Sequence, residues 1–199
     1  MDAGDYFVVC RSRVEAALLA ALPPEGSRPA RLTGAIRYSV TVGGKRIRPM
    51  LCLAAAEAVG GAWTAAVPAA VAVELLHTYT LVHDDLPCMD DDLLRRGMPT
   101  VHAKFGEAMG VLCGDALQAC AFGALAGGEC ADPARVARWV RELARAAGPA
   151  GVVGGQVEDV AGAAAADAAT VAFVHQHKTA DLFRAALRMG AIGGGADAA

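Results

Sequence analysis

Apolar residues recur along this chain at helical spacing, and proline and glycine punctuate the recurrence. Residues 5–22 read as an amphipathic helix that stops at Pro23-Pro24. After a polar, glycine-containing connector to about residue 30, a second helix is expected over 31–42. Gly43-Gly44 follow it, a pair suited to a helix C-terminus. GGKRIRP (43–49) opens a third helix to about residue 58, closed by Gly60-Gly61. Residues 68–86 make the most apolar helix, and Pro87 prevents it from continuing. Further helices are expected over 102–126 and over 135–148, the latter charged and solvent-facing. Another begins at GVVGGQVEDV (151–160), and a last one covers 167–191. No stretch alternates for long, so no sheet is expected. Residues 1–192 read as one domain without repeats, and GGGADAA (193–199) as a flexible tail.

Composition sharpens the fold class. The chain is 55% hydrophobic but only 5% aromatic, and the apolar share is mainly alanine, which favours helix interiors and close helix approach. An all-α domain is the expectation. Net charge is -3 with scattered basic residues, which excludes an electrostatic footprint for nucleic acid. Apolar stretches such as WTAAVPAAVAV (63–73) are too short to span a bilayer, so no transmembrane segment is expected. Cysteines 10, 52, 88, 113, 120 and 130 show no CxxC or zinc spacing and read as free thiols in a reducing compartment. The first 22 residues show no signal or transit peptide.

The concentrated charge lies in LVHDDLPCMDDDLLRRG (81–97). Asp84 and Asp85 fall in the last turn of the 68–86 helix, where the macrodipole is negative and adjacent carboxylates repel. A solvated acidic loop is one reading. An EF-hand loop is another, but DDDLLRRG lacks the alternating ligands, central glycine and closing glutamate. The third is a Mg²⁺–diphosphate site. Asp90 can turn back toward Asp84 after Pro87, and Arg95 and Arg96 offer planar forks to phosphate. Lys45, Arg46 and Arg48 form a second basic cluster, readable as a charged helix cap or an anion site. His77 lies about two turns before Asp84, either a core residue or part of that site. HQHKT (175–179) adds Lys178 and Thr179.

These motifs, together with PTVHAKFGEAMGVLCGDAL (99–117), GGQVEDV (154–160) and HQHKTADLF (175–183), resemble the trans-isoprenyl diphosphate synthase family. The likeness is greatest to the plant geranylgeranyl diphosphate synthase group and its small-subunit relatives. The resemblance implies an isoprenoid-synthase helical bundle. It makes Asp84, Asp85 and Asp90 the aspartates that hold Mg²⁺ on an allylic diphosphate, with Arg95, Lys178 and Thr179 on the same diphosphate. Lys45, Arg48, His77 and Arg96 correspond to the isopentenyl diphosphate site. Tyr79 and Thr80, just before the aspartates, correspond to the floor of the channel into which product grows. Tyr79 there either blocks elongation at C10 to C15 or packs as an ordinary core residue.

The family's second aspartate-rich motif lies beyond the Lys-Thr segment and is not reached in this sequence, so the C-terminal helices are expected to be missing. Leu93 stands where active relatives carry a further aspartate. Small-subunit relatives carry two CxxxC motifs, whereas here Cys52 is followed by Ala56 and 186–190 contains no cysteine. The preferred expectation is a regulatory small subunit that is not self-sufficient and forms a heterodimer with a catalytic geranylgeranyl diphosphate synthase in the plastid. The alternative is a catalytic prenyltransferase whose C-terminal part is absent. A class I terpene cyclase shares the aspartate-rich helix end but not GGKRIRP or the Lys-Thr segment. The alanine-rich segments 52–58 and 102–122 are the expected partner surfaces.

Overall fold

Asp2 starts the first helix by accepting a hydrogen bond from the Asp5 backbone N–H at 2.8 Å, satisfying one of the orphan donors of a helix start. That helix, α1 (Ala3–Ala21), is followed by α2 (Ala30–Thr41), α3 (Ile47–Ala58) and a short 3₁₀ turn (Trp63–Ala66). Next come α4 (Val67–Asp84), a hairpin of β1 (Leu94–Arg95) and β2 (Met98–Pro99), α5 (Val101–Phe105) and α6 (Glu107–Ala126). The chain continues through α7 (Pro133–Ala147), α8 (Val152–Gly162), α9 (Ala168–Val174), a π-helical turn (His175–Ala180) and α10 (Asp181–Gly193). This computed structural model describes residues 2–127, 132–162 and 167–197, so Gly128, Cys130 and the last two residues of the expected tail lie outside it.

The all-α expectation holds, and α4 is its centre. Ala69, Ala70, Val71, Ala72, Val73, Leu75, Leu76 and Val82 of that helix are all buried, with small alanines letting α3, α6 and α10 approach closely. Cys10, Val14 and Leu18 line one stripe of α1 at four-residue spacing and face the same core. Each fully buried leucine here stabilises by about 1.5–3 kcal/mol relative to exposure.

Several expectations need correction. The third helix starts at Ile47, because Gly43 and Gly44 (φ 97° and 155°) and Arg46 (φ 52°) hold GGKR in a non-helical approach. The helix expected over 102–126 breaks at Gly106, whose φ of 94° no L side chain adopts readily. A small hairpin forms where no strand was expected: Arg96 and Gly97 both take positive φ (55° and 78°), the two central conformations of a tight turn that matches strand twist. The helix at 135–148 is not simply solvent-facing. Trp139 and Leu143 are buried, and the indole Nε1–H donates to the Met189 carbonyl at 2.7 Å, docking α7 on α10. The segment 52–58 is no partner surface either, since Cys52, Leu53 and Ala56 are buried and Gly190 of α10 packs on the Cys52 carbonyl.

The last helix reaches Gly193, and Gly194 packs on Ala56, so the expected tail is held at its start. Trp63–Asp84 and α6 are each long and apolar enough to cross a membrane by length and composition. The first, however, is the core of this bundle.

Candidate active site

Two cavities of about 380 Å³ each share α4 as a wall. The first is basic. The residues between Gly44 and Arg48 form one side of it, Glu74 and His77 of α4 another, and Arg96 and Phe183 complete it. All four residues expected at an isopentenyl diphosphate site, Lys45, Arg48, His77 and Arg96, are thus brought together. Arg96 arrives through the tight turn of the hairpin, and its guanidinium donates to the Gly43 carbonyl.

Arg46 does something the sequence reading missed. Its guanidinium is buried, with Nη1 on Glu74 at 2.7 Å, Nε on Glu15 at 2.9 Å and Nη2 on the Val40 carbonyl at 2.5 Å. Burial works against its charge, but Glu15 and Glu74 outweigh that and raise its pKa. Arg46 is consumed in holding the loop. Glu74, a single carboxylate in the apolar run of α4, was the sequence signal for this pair.

Arg48 is left for a ligand. Its guanidinium lies 4.2 Å from the Phe183 ring centroid, Nη1 is 3.3 Å from His77 Nε2, and its buried Nε has no partner among the described residues. Burial lowers its pKa, opposed by Glu74. An arginine only donates, so His77 Nε2 accepts and the imidazole proton sits on Nδ1. Burial, then the surrounding Arg48, Arg96, Arg46 and Arg95, push His77 down to about 3. The histidine is neutral, and the positive charge of the pocket comes from arginine and lysine.

The second cavity is mostly apolar. Tyr79, Thr80, His83 and Asp84 of α4 face Val152, Val153, Gln156, Val157 and Val160 of α8, with Met89 beside them. Tyr79 and Thr80 line the same space as Asp84. The Tyr79 ring meets His83 edge-on, with centroids 5.2 Å apart. His83 Nε2 bonds the Val111 carbonyl of α6 at 3.0 Å, and its ring occupies the space a side chain at Gly114 would fill.

At the mouth, the neighbouring aspartates part company. Arg95 grips Asp85 through Nε at 2.8 and 3.0 Å and Nη2 at 2.6 Å. Among the described residues Asp84 makes no such pair. Burial, then Asp90 and Asp85, raise it to about 6 against the opposing pull of Lys178 and Arg95. Asp90 is exposed, and its backbone N–H bonds the Asp84 carbonyl at 2.9 Å, folding the loop back as the sequence suggested. Lys178 is held by Asp159 of α8 at 2.5 Å, and Thr179 is exposed on the same π-helical turn. Turns of this kind inside helices frequently mark functional sites.

The donor set suits a hard cation. Among the described residues no three His, Cys, Asp or Glu side chains form a ready-made cage. Mg²⁺ needs only one or two carboxylates and completes its shell with waters and phosphates. Asp84, unpaired and destabilised as an anion, fits that role with Asp90, whereas Asp85 is committed to Arg95.

The polyprenyl synthetase family model matches residues 29–199. A heterodimeric geranylgeranyl pyrophosphate synthase large subunit 1 (chloroplastic) of Arabidopsis thaliana is 48% identical over 204 residues, covering 98% of this chain and 54% of that protein. Geranylgeranyl pyrophosphate synthase 7 (chloroplastic) of the same plant is 52% identical, covering 85% of this chain and 50% of that protein. The chain therefore spans about half the length of the curated relatives it matches. An FPP/GFPP synthase structure from Zymomonas mobilis superposes with a TM-score of 0.85 at 39% identity, covering 94% of this chain and 72% of that one.

Proposed function

Because the chain belongs to the polyprenyl synthetase family, we propose that it carries the two substrate pockets of a prenyltransferase of the geranylgeranyl diphosphate synthase kind. In that reaction isopentenyl diphosphate is condensed with an allylic diphosphate. The pairing of a basic cavity with an apolar, acid-mouthed one on a shared helix carries this reading.

Isopentenyl diphosphate suits the basic cavity, where Lys45, Arg48 and Arg96 supply charge and neutral His77 orients Arg48. The allylic hydrocarbon suits the apolar cavity, with its diphosphate at the mouth beside Arg95, Lys178 and Thr179. Mg²⁺ on Asp84 and Asp90 would neutralise charge on the departing diphosphate. The residues themselves position the two substrates, exclude water from the hydrocarbon and place fixed positive charge where negative charge develops. The chloroplastic names of the relatives support the plastid as the location.

A second reading is favoured by Leu93, 63% exposed on the loop that carries the aspartates, at the position where the family resemblance puts a further aspartate in active relatives. In it the chain is the regulatory member of a heterodimer and changes the activity or product of a catalytic geranylgeranyl diphosphate synthase partner. One experiment separates the two. Turnover and product length are measured for the purified chain alone, for a catalytic synthase alone and for the mixture, with and without Mg²⁺. Mg²⁺-dependent condensation by the chain alone establishes the first reading. An altered rate or product only in the mixture establishes the second, and no effect in any arm sinks both.

A further inference from the structure

The hairpin of β1 and β2 carries Arg95 and Arg96, neighbours in the chain that serve different cavities. Arg95 grips Asp85 at the mouth of the apolar one, and Arg96 lines the basic one. A lone two-stranded hairpin is marginally stable in water, so contacts outside it must fix its place. Hydrophobic packing does not supply them. Leu94 and Met98 are exposed, and a cavity of about 40 Å³ separates Arg95 and Pro99 from Ser39 of α2 and Thr78 of α4.

Among the described residues, three hydrogen-bonded tethers join the hairpin to the helices and loops around it. Arg95 donates to Asp85, Arg96 donates to the Gly43 carbonyl, and the Tyr38 hydroxyl of α2 donates to the Pro99 carbonyl at 2.7 Å. Two of the three are made by the guanidiniums that a diphosphate would recruit, and these must share their donors once an anion arrives. Of the three, only the Tyr38 tether leaves both arginines free to turn to a ligand.

The tyrosine is itself held in place. Phe105 meets its ring edge-on with centroids 5.5 Å apart, and Lys104 Nζ lies 3.8 Å from the ring centroid. Both residues belong to α5, which β2 enters through the buried Thr100. The Thr100 N–H bonds the Leu93 carbonyl at 3.0 Å and closes the base of the hairpin. Pro99 pairs with Leu94 beside that base, so the hydroxyl grips the end opposite the Arg96 turn. A tilt about this point moves both guanidiniums together.

We propose that Tyr38 is a positioning residue for both diphosphates: its hydroxyl, through the Pro99 carbonyl, sets the hairpin so that Arg95 and Arg96 reach their separate cavities. The inference rests on the proposed prenyltransferase function and adds to it a residue that touches neither substrate. It acts through the arginines, so its effect at each cavity should vanish when that cavity's arginine is gone.

The test is binding, read as a mutant cycle together with thermal stability. The protein is titrated calorimetrically, in the presence of Mg²⁺, with geranyl thiolodiphosphate, whose sulphur link resists ionisation, and separately with isopentenyl diphosphate. Tyr38→Phe keeps the ring and its contacts and removes only the hydroxyl. It is expected to weaken both ligands about fivefold, the scale of one neutral hydrogen bond, and to melt within a few degrees of wild type. The same substitution is then made in an Arg96→Asn background, which removes the guanidinium and keeps a residue suited to the turn. There it should no longer affect isopentenyl diphosphate, while the loss for the geranyl analogue remains. Unchanged binding of either ligand in Tyr38→Phe overturns the inference alone. So does a further loss of isopentenyl diphosphate binding in the Arg96→Asn background, which would make the role a general structural one. Wild-type protein that binds neither diphosphate overturns the proposed function and this inference with it.

Discussion

Arg95 closes on Asp85 with its Nε and Nη2 while Asp84, one residue earlier, is left unpaired at the mouth of the apolar cavity. Adjacent residues on a helix point about 100° apart, so the two carboxylates never shared one direction. One serves as an anchor for the hairpin and the other remains available to a cation.

Removing the anchor has a definite cost. Arg95→Ala strands the Asp85 side chain, which is 4% exposed, without its counter-charge. Breaking a buried pair typically costs about 3–5 kcal/mol. Because Arg95 itself is 30% exposed, roughly 2 kcal/mol is expected here, read as a lower denaturation midpoint with unchanged m-value. Asp85→Asn together with Arg95→Ala should recover part of the loss.

His77 should make the ligand-free protein acid-sensitive. Its pKa is pushed from the ordinary value of about 6.5 down to about 3, so over that interval the unfolded chain binds a proton that the folded one does not. The stabilising contribution is present above pH 6.5 and is lost as pH falls toward 3. His77→Gln is expected to flatten that part of the stability–pH curve. An unchanged slope between pH 6.5 and 4 would show that the site titrates normally.

Tyr79 should limit product length wherever the chain supports elongation. Its ring stands in the cavity wall with Asp84 and is braced edge-on by His83. Products are expected to stop at C10 to C15, and Tyr79→Ala to shift them longer. A main product of C20 with Tyr79 in place, or an unaltered distribution in the variant, refutes the assignment.

Association should run through α6. Val111 and Leu112 are 43% and 51% exposed on a helix whose apolar length is mostly unburied. Sedimentation at micromolar concentration should show self-association, or binding to a related synthase. Val111→Glu with Leu112→Glu should abolish it while leaving the melting temperature within a few degrees.

Helix placement was legible because proline and glycine stops are local signals: Pro23-Pro24, Gly43-Gly44 and Pro87 act on their own neighbours. The grouping of Lys45, Arg48, His77 and Arg96 was legible only through the family likeness, since no periodicity joins residues so far apart. Arg46 was read only as part of a basic cluster, a helix cap or an anion site, because its partners Glu15 and Glu74 lie 31 and 28 residues away. Gln156 lies in GGQVEDV (154–160), a segment that carries the family likeness, but no local pattern gave its side chain a role. The wider turn at 175–180 was invisible for a different reason. It alters hydrogen-bond spacing without altering composition, and the segment was read as one continuous helix.

The missing side chain at Gly114 makes α4 and α6 mesh like two toothed racks. The imidazole of His83 is the tooth, the glycine is the gap, and the bond to the Val111 carbonyl keeps them engaged. Neither helix slides along the other without dragging the ring, and the ring abuts Tyr79. Val111 thus has two sides: its carbonyl grips the cavity wall while its side chain faces outward. Pressure applied to the outer surface of α6 is therefore delivered, through one imidazole, to the space where a growing chain would end.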